Sequence, residues 1–260
     1  IGIVASDDAL PPARPELPGV YLPGVSAVRE FDDALTVRAS VAANPEAAVV
    51  IGGGLLGLEA ARHLELSGVR KVTVLEAAPR LLPRQLDAAG AGVLASALAG
   101  LGIETRVAVK VSGFEGRTRV ESVALEGGEG LPAGTAIISM GVRPRIGLAQ
   151  AAGLKTARGI VVDDYLRTSD PSVYALGDCA EYRGAVWGII PAAMDEAPCC
   201  AAAVLGDASR PYAGTLPANS LKVAGVELAS FGAAAEPPEG AEIIRGRDGE
   251  GRYAKYVLSE

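Results

Sequence analysis

Of the side chains that most often bind metals or attack substrates, this chain of 260 residues carries only three cysteines and one histidine. Cys179, Cys199 and Cys200 make an odd count with no Cys-x-x-Cys and no metal-ligand spacing, which argues against a disulfide framework or a metal centre. Adjacent Cys199 and Cys200 can close a strained vicinal disulfide, but in an Ala-rich helical stretch two small cysteines more often simply pack. His63 falls inside a helix-reading segment, which argues against a Ser/His/Asp hydrolase and a His-based metal site. Aromatics are scarce at 4%, and basic residues are outnumbered, with a net charge of −7. That balance disfavours nucleic acid or an anionic membrane surface as a partner. No uninterrupted apolar run approaches the roughly 18 residues of a span. The first residues also lack a basic region followed by a cleavable apolar segment, so the chain reads as soluble and cytoplasmic.

What is present suits a tightly wound α/β protein. The length exceeds a single core, so two or three domains are expected, and 49% apolar residues with 33 glycines allow helices to lie close on parallel strands. The most informative stretch is Ala47-Ala48-Val49-Val50-Ile51-Gly52-Gly53-Gly54-Leu55-Leu56-Gly57-Leu58-Glu59-Ala60-Ala61. An apolar run breaks into Gly-x-Gly-x-x-Gly and continues as helix, a strand-turn-helix built around a phosphate. Gly52 permits the tight turn, Gly54 lets the backbone approach a pyrophosphate, and Gly57 allows close packing of helix on strand. The helix start, with its free amides and positive dipole end, faces the phosphates. A second strand, Lys71 to Leu75, ends in Glu76, 76 − 57 = 19 positions after the third glycine. An acidic residue about 20 positions on is where adenosine ribose hydroxyls are gripped. A carboxylate there repels a 2′-phosphate, so NADH is expected over NADPH, a preference that Arg80 and Arg84 just downstream can soften.

Elsewhere the pattern is coarser. The chain opens on strand-like Ile1 to Ala5, passes a proline-rich stretch from Pro11 to Gly19, and reads as helix from about Ser26 to Ala43 before Asn44-Pro45. Leu86-Asp87 to Leu101 reads as a helix closed by Gly102, and Glu104 to Val107 as a strand. Val109 to Glu129 alternates like an antiparallel meander, and Ala136 to Met140 is a buried strand ending at Gly141-Val142-Arg143-Pro144. A second constellation, Thr168 to Ala180, feeds a short strand that stops on Gly177-Asp178. A bare glycine beside a carboxylate at a strand's carboxyl end can admit a sugar-phosphate chain, although Gly-Asp is equally an ordinary turn. Pro191-Ala192-Ala193-Met194 then opens a helix to about Leu205. Its positive end can stabilise negative charge on a reduced ring, or the helix is a plain amphipathic one.

Taken together, these residues resemble the FAD-dependent pyridine nucleotide-disulfide oxidoreductases, flavoproteins with two dinucleotide-binding domains. Gly52 to Ala61 is similar to their NAD motif and Thr168 to Ala180 to their second FAD motif. The likeness covers nearly the whole chain, and is strongest to the branch of NADH-dependent nitrite reductase large subunits and NADH-rubredoxin reductases. It implies an α/β fold: a Rossmann-like parallel sheet with an antiparallel meander, the NAD domain, inserted in a partial FAD domain, plus the start of an α+β C-terminal domain. The implied divisions are a remnant of FAD domain (1–45), the NAD domain (46–143), the FAD domain resumed (144–212) and a partial interface domain (213–260), whose opening resembles Ser220 to Gly232. For NAD the resemblance implies Gly52, Gly54, Leu55, Leu56, Gly57 and Glu76, with Glu59 near the nicotinamide and Gly141 and Val142 lining its pocket. For FAD it implies Gly177, Asp178, which would hold the ribityl chain, and Ala193.

The implied chemistry is hydride transfer from NADH to FAD, then electrons to an acceptor, either a redox protein or a further redox domain. Cofactors carry that chemistry, so no side chain is expected to act as acid or base and no metal is expected. The family's first FAD motif is absent from these residues, and Ala5-Ser6-Asp7 stands where the family has Ala-Thr-Gly. An aspartate there would repel a flavin phosphate. The chain therefore reads as a piece truncated at both ends that holds FAD weakly or not at all by itself. The reading from another class is a non-catalytic NAD-binding module. An ordinary alcohol or hydroxy-acid dehydrogenase would need a Tyr-x-x-x-Lys or a histidine-acid pair that is not suitably placed here.

Overall fold

Why the strands around the glycine motif read as unbroken apolar runs is explained by a computed structural model, which describes residues 2–4, 14–223, 225–232, 235, 237–249 and 252–258. In chain order its elements begin with β1 (Gly2–Val4), β2 (Val25–Ser26), α1 (Phe31–Ala43), β3 (Ala47–Ile51), α2 (Leu55–Leu66), β4 (Lys71–Glu76), α3 (Ala88–Gly100) and β5 (Ile103–Val107). There follow β6 (Val111–Glu115), β7 (Ser122–Leu125), β8 (Gly130–Pro132), β9 (Thr135–Ile138), α4 (Gly147–Ala151), β10 (Ile160–Val162), β11 (Val173–Ala175), a 3-10 turn (Gly177–Cys179) and β12 (Ala180–Tyr182). The remainder is α5 (Ile190–Val204), β13 (Ala218–Val223), β14 (Val226–Phe231), β15 (Glu242–Arg247) and β16 (Tyr253–Leu258). The chain divides into two compact units, one formed by β1 with residues 142–216 and the other by residues 14–141 with the segment from 217 onward.

The larger unit is built on a five-stranded parallel sheet in the order β2-β9-β3-β4-β5. A parallel sheet is covered on both faces, so its central strands carry no polar alternation. One face, with Val50, Val72, Val74 and Ile137, meets Leu58, Ala61 and Leu64 of α2 and Leu94 and Leu98 of α3. The other face, with Val49, Ile51, Leu75, Ala136 and Ile138, meets Phe114, Val123, Leu125 and Leu131 of the antiparallel meander β6-β7-β8. Each fully buried leucine contributes about 1.5–3 kcal/mol, and the α2 positions at 58, 61 and 64 share one helical stripe. This is the expected α/β class.

The helix before Asn44 starts at Phe31, not near Ser26. Ser26 instead pairs with Ile137 at the sheet edge. The Asp33 carboxylate sets the helix start by accepting the Arg29 and Glu30 N–H groups at 2.8 and 2.9 Å. In the same unit β13 pairs with β14 and β15 with β16, and Val226 and Leu228 pack on the core beneath α2 and α3. Asp87, the N-cap of α3, accepts the Gly90 N–H (3.0 Å) and holds the β15–β16 hairpin through the Tyr253 hydroxyl (2.7 Å), Arg245 (3.2 Å) and Lys255 (3.6 Å). Burial pushes the Asp87 carboxyl up, but those donors and cations outweigh it and hold it at about 2.

In the smaller unit β1 pairs in parallel with β11, and β10 with β12. Ile160, Leu166, Tyr174, Tyr182 and Tyr212 form its core with Cys179 and Cys200. None of the three cysteines forms a disulfide, and Cys199 packs partly against that core, so the adjacent pair is a packing feature. Among the described residues no helix is long and apolar enough to cross a membrane.

Candidate nucleotide-binding site

At the end of β3, Ile51 and Gly52 are still gripped from both neighbours. The Ser139 N–H donates to the Ile51 carbonyl and the Gly52 N–H to the Leu75 carbonyl, each at 2.7 Å. Gly52 then turns with φ +115°, and a Cβ there would lie 2.1 Å from the Ser139 carbonyl oxygen, which leaves glycine as the only residue that fits. Gly57, buried in the first turn of α2, would place a Cβ 2.0 Å from the Gly52 carbonyl oxygen. Gly54 differs from both. It is the N-cap of α2 in ordinary extended backbone (φ −80°), and a Cβ there would meet nothing within 4 Å. Two of the glycines thus serve the fold, while the third keeps open space at the head of a helix. Gly54 has no side chain to cap the first-turn amides, so Leu55 and Leu56 present theirs to an outside acceptor.

Glu76, at the end of β4, is already bound to that turn. Its Oε2 accepts the Gly53 N–H and its Oε1 the Ala78 N–H, both at 2.7 Å. Two acceptor positions of the carboxylate are used, and about two remain for hydroxyl donors. Gly53 was not singled out in the sequence, although its middle position in three consecutive glycines was the available signal. A Cβ on it would lie 2.7 Å from Leu81 Cδ2 and 3.0 Å from Glu76 Cβ. Arg80 is tied down by backbone, donating from Nε to the Leu86 carbonyl (2.9 Å) and from Nη2 to the Pro83 carbonyl (3.1 Å). Glu59 follows Leu55 by one turn of α2 and is half-buried. Gly141 is exposed with φ +84° at the end of the larger unit, and exposed Val142 opens the smaller one.

The second constellation lies wholly in the smaller unit. β11 leads through Leu176 to Gly177, whose φ of +73° opens the 3-10 turn carrying half-buried Asp178. Ala193, in the first turn of α5, stands beside this glycine, with 3.7 Å between its Cβ and a Cβ built on Gly177. α5 has Pro191 near its start, as its sequence announces, and also a proline at 198 inside it, where the helix lacks a backbone donor. The residue missed at this place is Glu196. It is 1% exposed and accepts the Gly177 N–H at 2.5 Å, and burial pushes its carboxyl up to about 7 against the opposing pull of that N–H. Nothing within the 168–180 motif signals it, because it lies 19 residues beyond Gly177.

Two shallow clefts, of about 670 and 370 Å³, are lined by residues 14–22 and by residues around Tyr182 and Leu216, and neither includes the glycine turns. A dinucleotide site at strand ends is an open crevice, so that separation is unsurprising. Among the described residues no cluster of His, Cys, Asp or Glu could hold a metal ion. Asp7 lies outside the described residues.

The comparisons with known proteins agree with this geometry. Residues 9–197 match the family model described as pyridine nucleotide-disulphide oxidoreductase. A nitrite reductase [NAD(P)H] of Bacillus subtilis is 37% identical over 242 residues, which are 93% of this chain and 30% of that protein. A rubredoxin-NAD(+) reductase of Ectopseudomonas oleovorans is 39% identical over 171 residues, 65% of this chain and 44% of the relative. The crystal structure of a ferredoxin reductase from Rhodopseudomonas palustris superposes with a TM-score of 0.85 at 30% identity, over 98% of this chain and 63% of that one. The chain thus spans about a third of the nitrite reductase it matches. With a family match over most of its length and a relative 37% identical over 93% of it, this chain belongs to the pyridine nucleotide-disulphide oxidoreductases.

Proposed function

We propose that the chain is the NADH-handling part of a flavoprotein oxidoreductase, in which hydride passes from NADH to FAD and electrons then leave for an acceptor. The observation that carries this reading is the contrast among the three glycines. Gly52 and Gly57 are forced by backbone contacts, whereas Gly54 is free of them and faces open space where a diphosphate would lie against the α2 amides. Gly52, Gly54, Leu55, Leu56 and Gly57 would hold the diphosphate, Glu76 the adenosine ribose, and Glu59, Gly141 and Val142 the nicotinamide end. Glu76 supports NADH over NADPH, since a 2′-phosphate would meet a carboxylate, and the engagement of Arg80 with two carbonyls leaves that repulsion without a nearby cation from this residue. The acceptor would be a redox protein or a further redox domain, in line with the relatives named above.

The residues of the second turn fit a flavin. Positive-φ Gly177 gives a side-chain-free approach, Asp178 offers a carboxylate to hydroxyl groups, and the start of α5 near Ala193 offers uncapped amides. When bound, FAD supplies hydride acceptance and onward electron release, while the protein's part is placement and electrostatics. Of the segmental reading of a flavin-binding part (1–45 and 144–212), an NAD part (46–143) and an interface part (213–260), the grouping of β1 with residues 142–216 supports a flavin-binding part made of two segments, whereas residues 14–45 and the segment from 217 onward group with the NAD part. A second reading, a non-catalytic NAD-binding module, is favoured by the single glycine-rich strand-turn-helix in these residues. The two separate by spectroscopy of the purified chain supplied with FAD. A flavin spectrum that bleaches on NADH addition is expected for the oxidoreductase, while protein that binds NADH yet leaves FAD oxidised even at saturating FAD would favour the module.

A further inference from the structure

A carboxyl group with no cation against it among the described residues is buried beside the Gly177–Asp178 turn. Glu196 is 1% exposed on α5, and its Oε2 reaches the Gly177 N–H at 2.5 Å. The groups that face it are all acidic or neutral: Asp178 and Cys179 in the turn, Asp195 and Cys200 on α5, and Tyr212 in the segment after α5. Tyr212 is fixed in its turn, sharing a hydrogen bond with Thr215 (2.7 Å), whose hydroxyl donates to Asp195 (2.9 Å). An unpaired charge in such a place is costly, and two neighbouring carboxylates raise that cost. Ionisation is favoured chiefly by the Gly177 amide, which binds a charged acceptor about twice as strongly as a neutral one, and more weakly by the Tyr212 hydroxyl.

We propose that Glu196 is a positioning residue whose proton sets the grip on the Gly177–Asp178 turn. Ionised, it draws the Gly177 amide down and fixes the glycine in its left-handed conformation. Protonated, it holds that amide weakly and no longer repels Asp178. The turn therefore has two strengths of anchorage, exchanged by one proton. That this turn holds flavin rests on the function proposed above, but the proton-linked grip does not.

The test follows the backbone amide resonances of Gly177 and Asp178 in the 260-residue chain between pH 5.5 and 8.5. Burial raises the Glu196 carboxyl to about 7, so both resonances are expected to move together with a single-proton midpoint near neutrality. In Glu196→Gln, which keeps an oxygen acceptor but has no proton to exchange, they are expected to stay flat. Flat resonances in the wild-type chain, or the same titration in Glu196→Gln, would overturn the proposal. The wild-type titration decides by itself should the variant fold poorly. FAD added at neutral pH is expected to shift the same two resonances. No shift, with the titration intact, upholds the proton-linked grip and rejects the flavin reading alone.

Discussion

Gly54 and Gly57 are three residues apart in one motif, yet substitutions at them should fail in opposite ways. In Gly57→Ala the new Cβ lies 2.0 Å from the Gly52 carbonyl oxygen, about 1 Å inside any tolerable contact, and the obstacle is backbone that cannot rotate away. Overpacking of this kind costs roughly 1–3 kcal/mol, offset by about 1 kcal/mol of helix propensity gained over glycine. Because the obstacle is backbone the upper end of that range applies, and a net loss of about 2 kcal/mol lowers the melting temperature by roughly 4–8 °C for a protein of this size. In Gly54→Val the new Cβ meets no atom within 4 Å and the backbone stays in an extended conformation that valine readily adopts, so the main stability cost is the poorer N-cap, about 1 kcal/mol or less. Its effect falls on the diphosphate. Losing one charge-assisted hydrogen bond costs about 1.5–3 kcal/mol, which weakens NADH binding by roughly tenfold or more. The assays are a thermal melt and a titration of NADH fluorescence on the same preparations. NADH affinity unchanged in Gly54→Val, with its melt close to wild type, would refute the placing of a diphosphate at the head of α2.

Two further outcomes follow from carboxylates. Glu76→Ala leaves the Gly53 and Ala78 N–H groups without their acceptor and removes the repulsion of a 2′-phosphate, so NADH affinity is expected to fall and the NADH-to-NADPH affinity ratio to move toward one, whereas Arg80→Ala leaves the ratio unchanged. An unchanged ratio in Glu76→Ala, measured by competition between the two nucleotides, would count against the ribose assignment. Asp87 titrates at about 2 when folded against 3.8 ordinarily, so its folded form is favoured above the higher value and that contribution disappears as pH falls through about 2. Allowing for solvent on its open side, this is about 1 kcal/mol. Asp87→Asn, which keeps the helix cap, is expected to melt lower than wild type at neutral pH and to converge with it in strong acid.

How much of this was legible in the sequence depends on the range of the interactions. The β3-turn-α2-β4 segment was readable because its determinants lie within 30 consecutive residues, from Ala47 to Glu76, and glycine is irreplaceable at two of them. The start of α1 was misplaced because Ser26 is claimed by Ile137, a partner 111 residues away that no local pattern announces. Gly53 escaped notice because its role is set by Glu76 and Leu81, 23 and 28 residues further on, which take its amide and crowd any Cβ. Glu196 escaped because a charged residue on a helix ordinarily faces water, and only the folded position of Gly177 turns it inward. The docking of Tyr253 on Asp87, 166 residues apart, is equally invisible to periodicity.

The clasp between Glu76 and the Gly53 amide bears on kinetics as well as on affinity. Because the loop and the carboxylate hold each other before any nucleotide arrives, the orienting entropy is spent during folding, and capture of the adenosine half need not wait for a rearrangement. Association at this end of the crevice should then be limited by encounter and geometry alone, with discrimination among nucleotides expressed in how long each one stays.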